Sequence, residues 1–127
     1  MASRKIEDCH PTLQKAWSDG LRTFLYMNPG EPEPFLTCTY RSNKEQMELY
    51  AQGRTEPGKI VTQIKKNGKH NQKPAMAFDI AFKKKNGTLD WSPILFQKFA
   101  YILAIQAPKV KWGGDWASFK DYPHFEI

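Results

Sequence analysis

Ala77-Phe78-Asp79-Ile80-Ala81-Phe82 reads as a β-strand that is apolar on both faces except for one carboxylate. A charge held between Phe78 and Ile80 must be paired, ligated or turned outward. The strand runs into Lys83-Lys84-Lys85-Asn86-Gly87, a turn whose Asn-Gly pair is the strongest short-range hairpin signal. Ser92-Pro93 then opens a helix, with Ser as cap and Pro at the first position. Its apolar residues Ile94, Leu95, Phe96, Phe99, Ile102, Leu103 and Ile105 cover more than one stripe, which predicts the buried core helix. Pro108 ends it. Beyond lie a short strand at Val110 to Trp112, a turn at Gly113-Gly114 and a last strand over His124 to Ile127.

Upstream of the strand, Pro11 begins another helix, and Leu13, Trp17, Leu21, Phe24 and Leu25 recur at helical spacing. Asn28-Pro29-Gly30 stops it, and Glu31-Pro32-Glu33-Pro34 reads as a rigid loop. Phe35 to Tyr40 has the β-branched and aromatic content of a strand. Ser42-Asn43-Lys44-Glu45 fits a capping box, so a further helix runs through Met47, Leu49 and Tyr50 to about Gly53. Residues 54–74 are polar, basic and poorly periodic, which in a compact domain marks a functional or mobile loop. These elements predict a small α+β domain, residues 1–127, with helices packed on a short antiparallel sheet.

A chain of 127 residues suits one domain, and 40% hydrophobic residues with 13% aromatics suffice for a core. No apolar run approaches the roughly 20 residues of a membrane helix, so no stable membrane insertion is expected. The first residues carry positive charge but no apolar segment follows, so a secretory leader is not expected. Cys9 and Cys38 are too few for a disulfide framework or a four-thiolate zinc site, and two buried free thiols are expected. The net charge of +6 suggests a polyanionic partner, nucleic acid, an anionic cell envelope or an acidic substrate, without choosing among them. Lys59, Lys65, Lys66, Lys69 and Lys73 stand in a loop with no aromatic residue for base stacking until Phe78.

His70, Asp79 and His124 are a common donor set for catalytic zinc. Three protein ligands leave a fourth tetrahedral position to water, whose pKa the metal lowers. A sheet pairing the Asp79 strand with the His124 strand would bring the three together. The same residues read equally as a surface His, a structural His and a paired core Asp. Asp121, three positions before His124, can serve as a proton acceptor and donor or stand solvated at a strand edge. Pro123 makes Tyr122 extended, so this segment enters a strand and not a helix. Arg41, between strand and cap, can aim a guanidinium at a carbonyl oxygen or carboxylate, and Gln46 on the next turn can lend an amide. As local sequence, a surface Arg and a surface Gln are the commoner case.

Three blocks together resemble zinc peptidases of the VanY and D-Ala-D-Ala carboxypeptidase superfamily. They are Tyr-Arg-Ser-Asn-Lys-Glu-Gln-Met-Glu-Leu-Tyr-Ala-Gln-Gly-Arg-Thr (40–55), Lys-His-Asn…Ala-Phe-Asp-Ile (69–80) and Trp-Gly-Gly-Asp-Trp…Phe-Lys-Asp-Tyr-Pro-His-Phe-Glu (112–126). Within the superfamily they are most similar to L-alanyl-D-glutamate endopeptidases of the phage endolysin type. The resemblance spans about residues 10 to 127. It implies a Hedgehog/D-Ala-D-Ala-peptidase-like fold, zinc on His70, Asp79 and His124, and Asp121 as acid/base. It also implies Arg41 as the group that polarises the scissile carbonyl, Gln46 as its helper, and the peptidoglycan stem peptide as substrate. His10 matches a helix-start motif and is not expected to bind metal. Two departures stand out. Gly68 replaces the usual Ser two residues before the first His, and Gln72-Lys73-Pro74-Ala75-Met76 lengthens the turn between His70 and Asp79.

The expected function is a zinc-dependent hydrolase cutting the L-Ala–D-Glu bond. It would be a monomeric catalytic unit without a separate wall-binding domain, made in the cytoplasm and released to the wall by a holin-type route. A D,D- or L,D-carboxypeptidase on the same scaffold is the alternative. A non-enzymatic basic module binding wall polymer or nucleic acid is the second.

Overall fold

The computed structural model describes residues 1–127. His10 and Pro11 start helix α1, Pro11–Met27, by complementary means. The His10 Nδ1 accepts the Thr12 N–H at 3.1 Å, while Pro11 stands where no N–H partner exists. Leu13, Ala16, Trp17, Gly20 and Phe24 form its buried stripe. Asn28 ends it, its amide donating to the Phe24 carbonyl. Helix α2, Asn43–Ala51, opens on the expected capping box of Ser42 and Glu45. Helix α3, Pro93–Gln106, has Ser92 at its cap position, but the hydroxyl is drawn to Asp90 and makes no cap bond. As expected it is the buried core helix, through Leu95, Phe96, Phe99, Ala100, Ile102 and Leu103, although part of its apolar surface stays outside. Ile94, Tyr101 and Ile105 are more than half exposed, because α3 packs on one side only, against α1 and the sheet.

Four strands, β1 (Glu33–Cys38), β2 (Ala77–Lys83), β3 (Lys111–Trp112) and β4 (His124–Glu126), make an antiparallel sheet ordered β1-β2-β4-β3. Glu33 and Pro34, expected in a loop, belong to β1. The strand lies at the sheet edge, where a missing N–H is tolerated. The Asn86-Gly87 turn forms, with Gly87 at a φ of 89°, yet it is followed by a single bridge, Lys83 with Leu89, and not by a strand.

Alternation along β2 divides the residues that build the fold from those that build the site. Phe78, Ile80 and Phe82 point into a core shared with Phe125, Phe24, Phe96 and Phe99. Each such buried side chain contributes roughly 1.5–3 kcal/mol relative to exposure. Asp79, one residue out of phase, faces the opposite side. Cys9 and Cys38 are buried free thiols, as expected.

Candidate functional site

Asp79 sits opposite Cys38 on β1 and His124 on β4, so one row across three strands carries all three. His70 arrives from the long loop, in a single 3-10 turn over Lys69–Asn71. Backbone bonds close the lengthened turn after it. Met76 N–H returns to the Lys69 carbonyl at 2.8 Å, and Ala75 is tied to Asp8 and His10. His70 Nε2 and His124 Nδ1 each lie 3.1 Å from the same Asp79 oxygen, Oδ1.

The far nitrogens of both imidazoles are engaged too. His70 Nδ1 donates to the Thr39 carbonyl at 2.7 Å, and His124 Nε2 donates to Glu126 Oε1 at 2.8 Å. Each ring therefore has an oxygen acceptor at both nitrogens, and a neutral imidazole can donate to only one. A cation between the rings and Asp79 would satisfy the two nitrogens that a pair of neutral imidazoles leaves without a proton. Two zinc–ligand bonds at a tetrahedral angle put their donor atoms roughly 3.3 Å apart, close to the spacing found. Thr39 and Glu126 would then fix the tautomers that leave His70 Nε2 and His124 Nδ1 free to ligate. Each His–Asp79 pair has the donor spacing of a zinc-type ion.

The ionisation pattern has the same cause. Burial lowers the pKa of both histidines, but the Asp79 carboxylate outweighs it, raising His70 to about 10 and, with Glu126, His124 to about 9. Burial works against the Asp79 charge, yet the two imidazoles hold its pKa well below the usual carboxylate range. Glu126 is lowered by its bond from His124. Asp121 goes the other way. Burial and then the Asp79 charge raise it, against the pull of His124, His70 and Arg41.

Cys38 Sγ lies 3.6 Å from His70 Nδ1, and the ligand atoms of Cys38, His70 and Asp79 lie within 4.8 Å of one another, a compact donor group that does not include His124. The Thr39 carbonyl already occupies that nitrogen at closer range, which leaves Nε2 as the ligating side.

A cavity of about 750 Å³ opens over the row. Arg41, Gln46, His70, Asp79, Asp121, His124 and Glu126 all line it, with Val61, Ile64, Trp91, Trp116 and Phe119 as apolar wall. Asp121 precedes β4 in an irregular segment, as Pro123 requires, and its N–H donates to the Gly113 carbonyl. Arg41 stands at the expected junction. Gln46, expected to help Arg41 and contact substrate, is bonded to Arg41. It is 3% exposed, its Oε1 accepts from Arg41 Nη1 at 2.9 Å, and its Nε2 donates to the Ile64 carbonyl at 2.8 Å. Its amide is spent on holding Arg41 and the loop. At Gly68 an added Cβ would lie 2.8 Å from Ile64 Cγ2, so Ile64 fills the space a serine side chain needs.

Glu126 escaped the sequence reading of the site. Its signal was available, since a residue two positions after His124 on a strand shares its face. The Thr39 carbonyl carries no such signal.

The family described as D-alanyl-D-alanine carboxypeptidase, of the M15 peptidases, matches residues 62–127. The peptidoglycan L-alanyl-D-glutamate endopeptidase CwlK of Bacillus subtilis is 39% identical over 127 residues, taking in 94% of this chain and 74% of that protein. The crystal structure of the L-Ala D-Glu endopeptidase ChiX of Serratia marcescens superposes with a TM-score of 0.72 at 22% identity. That match covers 100% of this chain and 88% of the other. It shares the fold: three helices on a small antiparallel sheet. By the family match and the 39% identical relative, the chain belongs to the D-alanyl-D-alanine carboxypeptidase family of M15 metallopeptidases.

Proposed function

We propose that this chain is a zinc-dependent peptidoglycan endopeptidase that hydrolyses the L-Ala–D-Glu bond of the stem peptide, with His70, Asp79 and His124 holding the metal. The observation that carries it is the approach of His70 Nε2 and His124 Nδ1 to one Asp79 oxygen, with the opposite ring nitrogens already donating. The 39% identical relative named as an L-alanyl-D-glutamate endopeptidase supports the choice of bond.

Zinc, when bound, supplies Lewis acidity that activates water and polarises a carbonyl. The chain's own residues do the rest. Asp121, with its raised pKa, accepts the proton of the attacking water and returns it to the leaving amine. Arg41 donates to the carbonyl oxygen as negative charge develops there. Glu126 and the Thr39 carbonyl keep the imidazoles oriented. Gln46 holds the guanidinium in place.

The basic surface would keep the enzyme on an anionic wall. We read the 127 residues as a monomeric catalytic unit without a nucleic-acid partner. It would act as a phage-type endolysin reaching the wall after holin-type release, and its action would be bacteriolytic. No helix is long and apolar enough to cross a membrane.

Mass spectrometry of digested peptidoglycan, with and without chelator, tests the reading. New N-terminal D-Glu with terminal D-Ala retained is expected, and chelator abolishes it. Loss of terminal D-Ala alone would establish the carboxypeptidase reading, which the family's description keeps open. Elemental analysis of the purified protein identifies the metal.

A further inference from the structure

We propose that Asn71 is a positioning residue, setting the distance between the histidine cluster and the Arg41 guanidinium. The inference rests on the reading above, in which Arg41 meets the substrate carbonyl.

Arg41 is held at three points. Its backbone N–H donates to the His70 carbonyl at 2.9 Å. Its own carbonyl accepts from Asn71 Nδ2 at 2.8 Å. Its Nη1 donates to Gln46 Oε1, to which Asn71 Nδ2 also donates at 3.4 Å. The dipeptide His70-Asn71 thus grips the Arg41 peptide on both sides, and the Asn71 amide joins the backbone and guanidinium ends of the residue. Asn71 Oδ1 meanwhile accepts the Gly68 N–H at 2.8 Å and closes the 3-10 turn that presents His70.

One side chain therefore ties the segment carrying His70 to the segment carrying Arg41. These segments come from different parts of the chain, and only non-covalent bonds set their spacing. A shift of about 1 Å between two catalytic groups can cost on the order of 100-fold in rate. Asn is suited to the task because it donates and accepts at once. Asp in its place keeps the acceptor for Gly68 N–H but turns the donor into a second acceptor, facing the Arg41 carbonyl and Gln46 Oε1.

The test compares wild type, Asn71→Asp, Arg41→Ala and the double variant on a soluble stem peptide, with zinc content measured for each. Wild-type cleavage of the L-Ala–D-Glu bond is the separate check on the function itself. Asn71→Asp should keep its zinc, lower kcat about 10- to 100-fold and leave KM nearly unchanged. In the Arg41→Ala background the same change should cost less than about 2-fold, because its effect runs through Arg41. NMR of the metal-free protein provides a readout independent of turnover. The Arg41 guanidinium protons should show hindered rotation in wild type and averaging in Asn71→Asp. Asn71→Ala runs in parallel and is read the same way where Asn71→Asp does not fold. Additive losses, lost zinc in both variants, or unchanged Arg41 signals would overturn the proposal.

Discussion

Asp79 and His124 face each other across the β2–β4 pair, with Asp79 Oδ1 3.1 Å from His124 Nδ1. The same oxygen meets His70 Nε2 at the same distance, so one carboxylate atom anchors both imidazoles. Removing its charge should disband the cluster. Asp79→Asn is expected to weaken zinc binding by more than ~100-fold, the amide keeping shape but not charge. Equilibrium dialysis against a zinc buffer measures this, and wild-type affinity in the variant would exclude Asp79 as a ligand.

The acid/base role proposed for Asp121 can be tested apart from metal binding. Asp121→Asn should keep full zinc occupancy and lose about 10²- to 10⁴-fold in kcat, the usual worth of a general acid/base. Unchanged turnover at full zinc occupancy would take Asp121 out of the reaction.

Glu126 touches His124 and no other member of the triad. Glu126→Gln replaces a charged acceptor by a neutral one and loosens the tautomer that frees Nδ1. Zinc affinity is expected to fall about 10- to 100-fold, with kcat at saturating zinc much less affected. Titration with a competing chelator reads the affinity.

Metal-free stability should depend on pH in a defined direction. His70, at about 10, and His124, at about 9, lie above the ordinary 6.5. Their contribution is fully present below pH 6.5 and is lost as pH rises through about 9 and then 10. Asp79 and Glu126 are lowered, so theirs is present above their ordinary values of 3.8 and 4.5 and lost as pH falls. Zinc needs deprotonated imidazoles and gains as pH rises. The Tm difference between loaded and metal-free protein should therefore widen from pH 6.5 to 9. A constant difference would show that the imidazoles carry no proton in the metal-free state.

Gly113 tests how Asp121 is placed. A Cβ there would lie 2.3 Å from the Asp121 backbone oxygen, and the Gly113 carbonyl receives the Asp121 N–H. Gly113→Ala should displace Asp121, lowering kcat while zinc content holds. Activity equal to wild type would show that the segment yields without moving the carboxylate.

The helices were legible in the sequence because their signals are local. Pro11, the Ser42–Glu45 box and Ser92-Pro93 mark three helix starts that the structure reproduces. Pro34 read as loop because proline disfavours central strands, and only the edge position of β1 admits it. Ile94 and Ile105 read as core because hydropathy does not say which faces find a partner. That Gln46 bonds both Arg41 and the Ile64 carbonyl is not written in the sequence, because those partners are set by packing.

By itself, the sequence determined which donors exist and in what order: one carboxylate in an apolar strand, two candidate imidazoles, an acid three residues before the second. Side-chain chemistry and strand period are properties of neighbours along the chain. Which nitrogen faces Asp79, and that the Thr39 carbonyl, Glu126 and Asn71 bond to His70, His124 and Arg41, was decided by the tertiary structure alone. Those relations depend on how β1, β2 and β4 align, and burial of Phe78, Ile80, Phe82 and Phe125 on the opposite face sets that alignment.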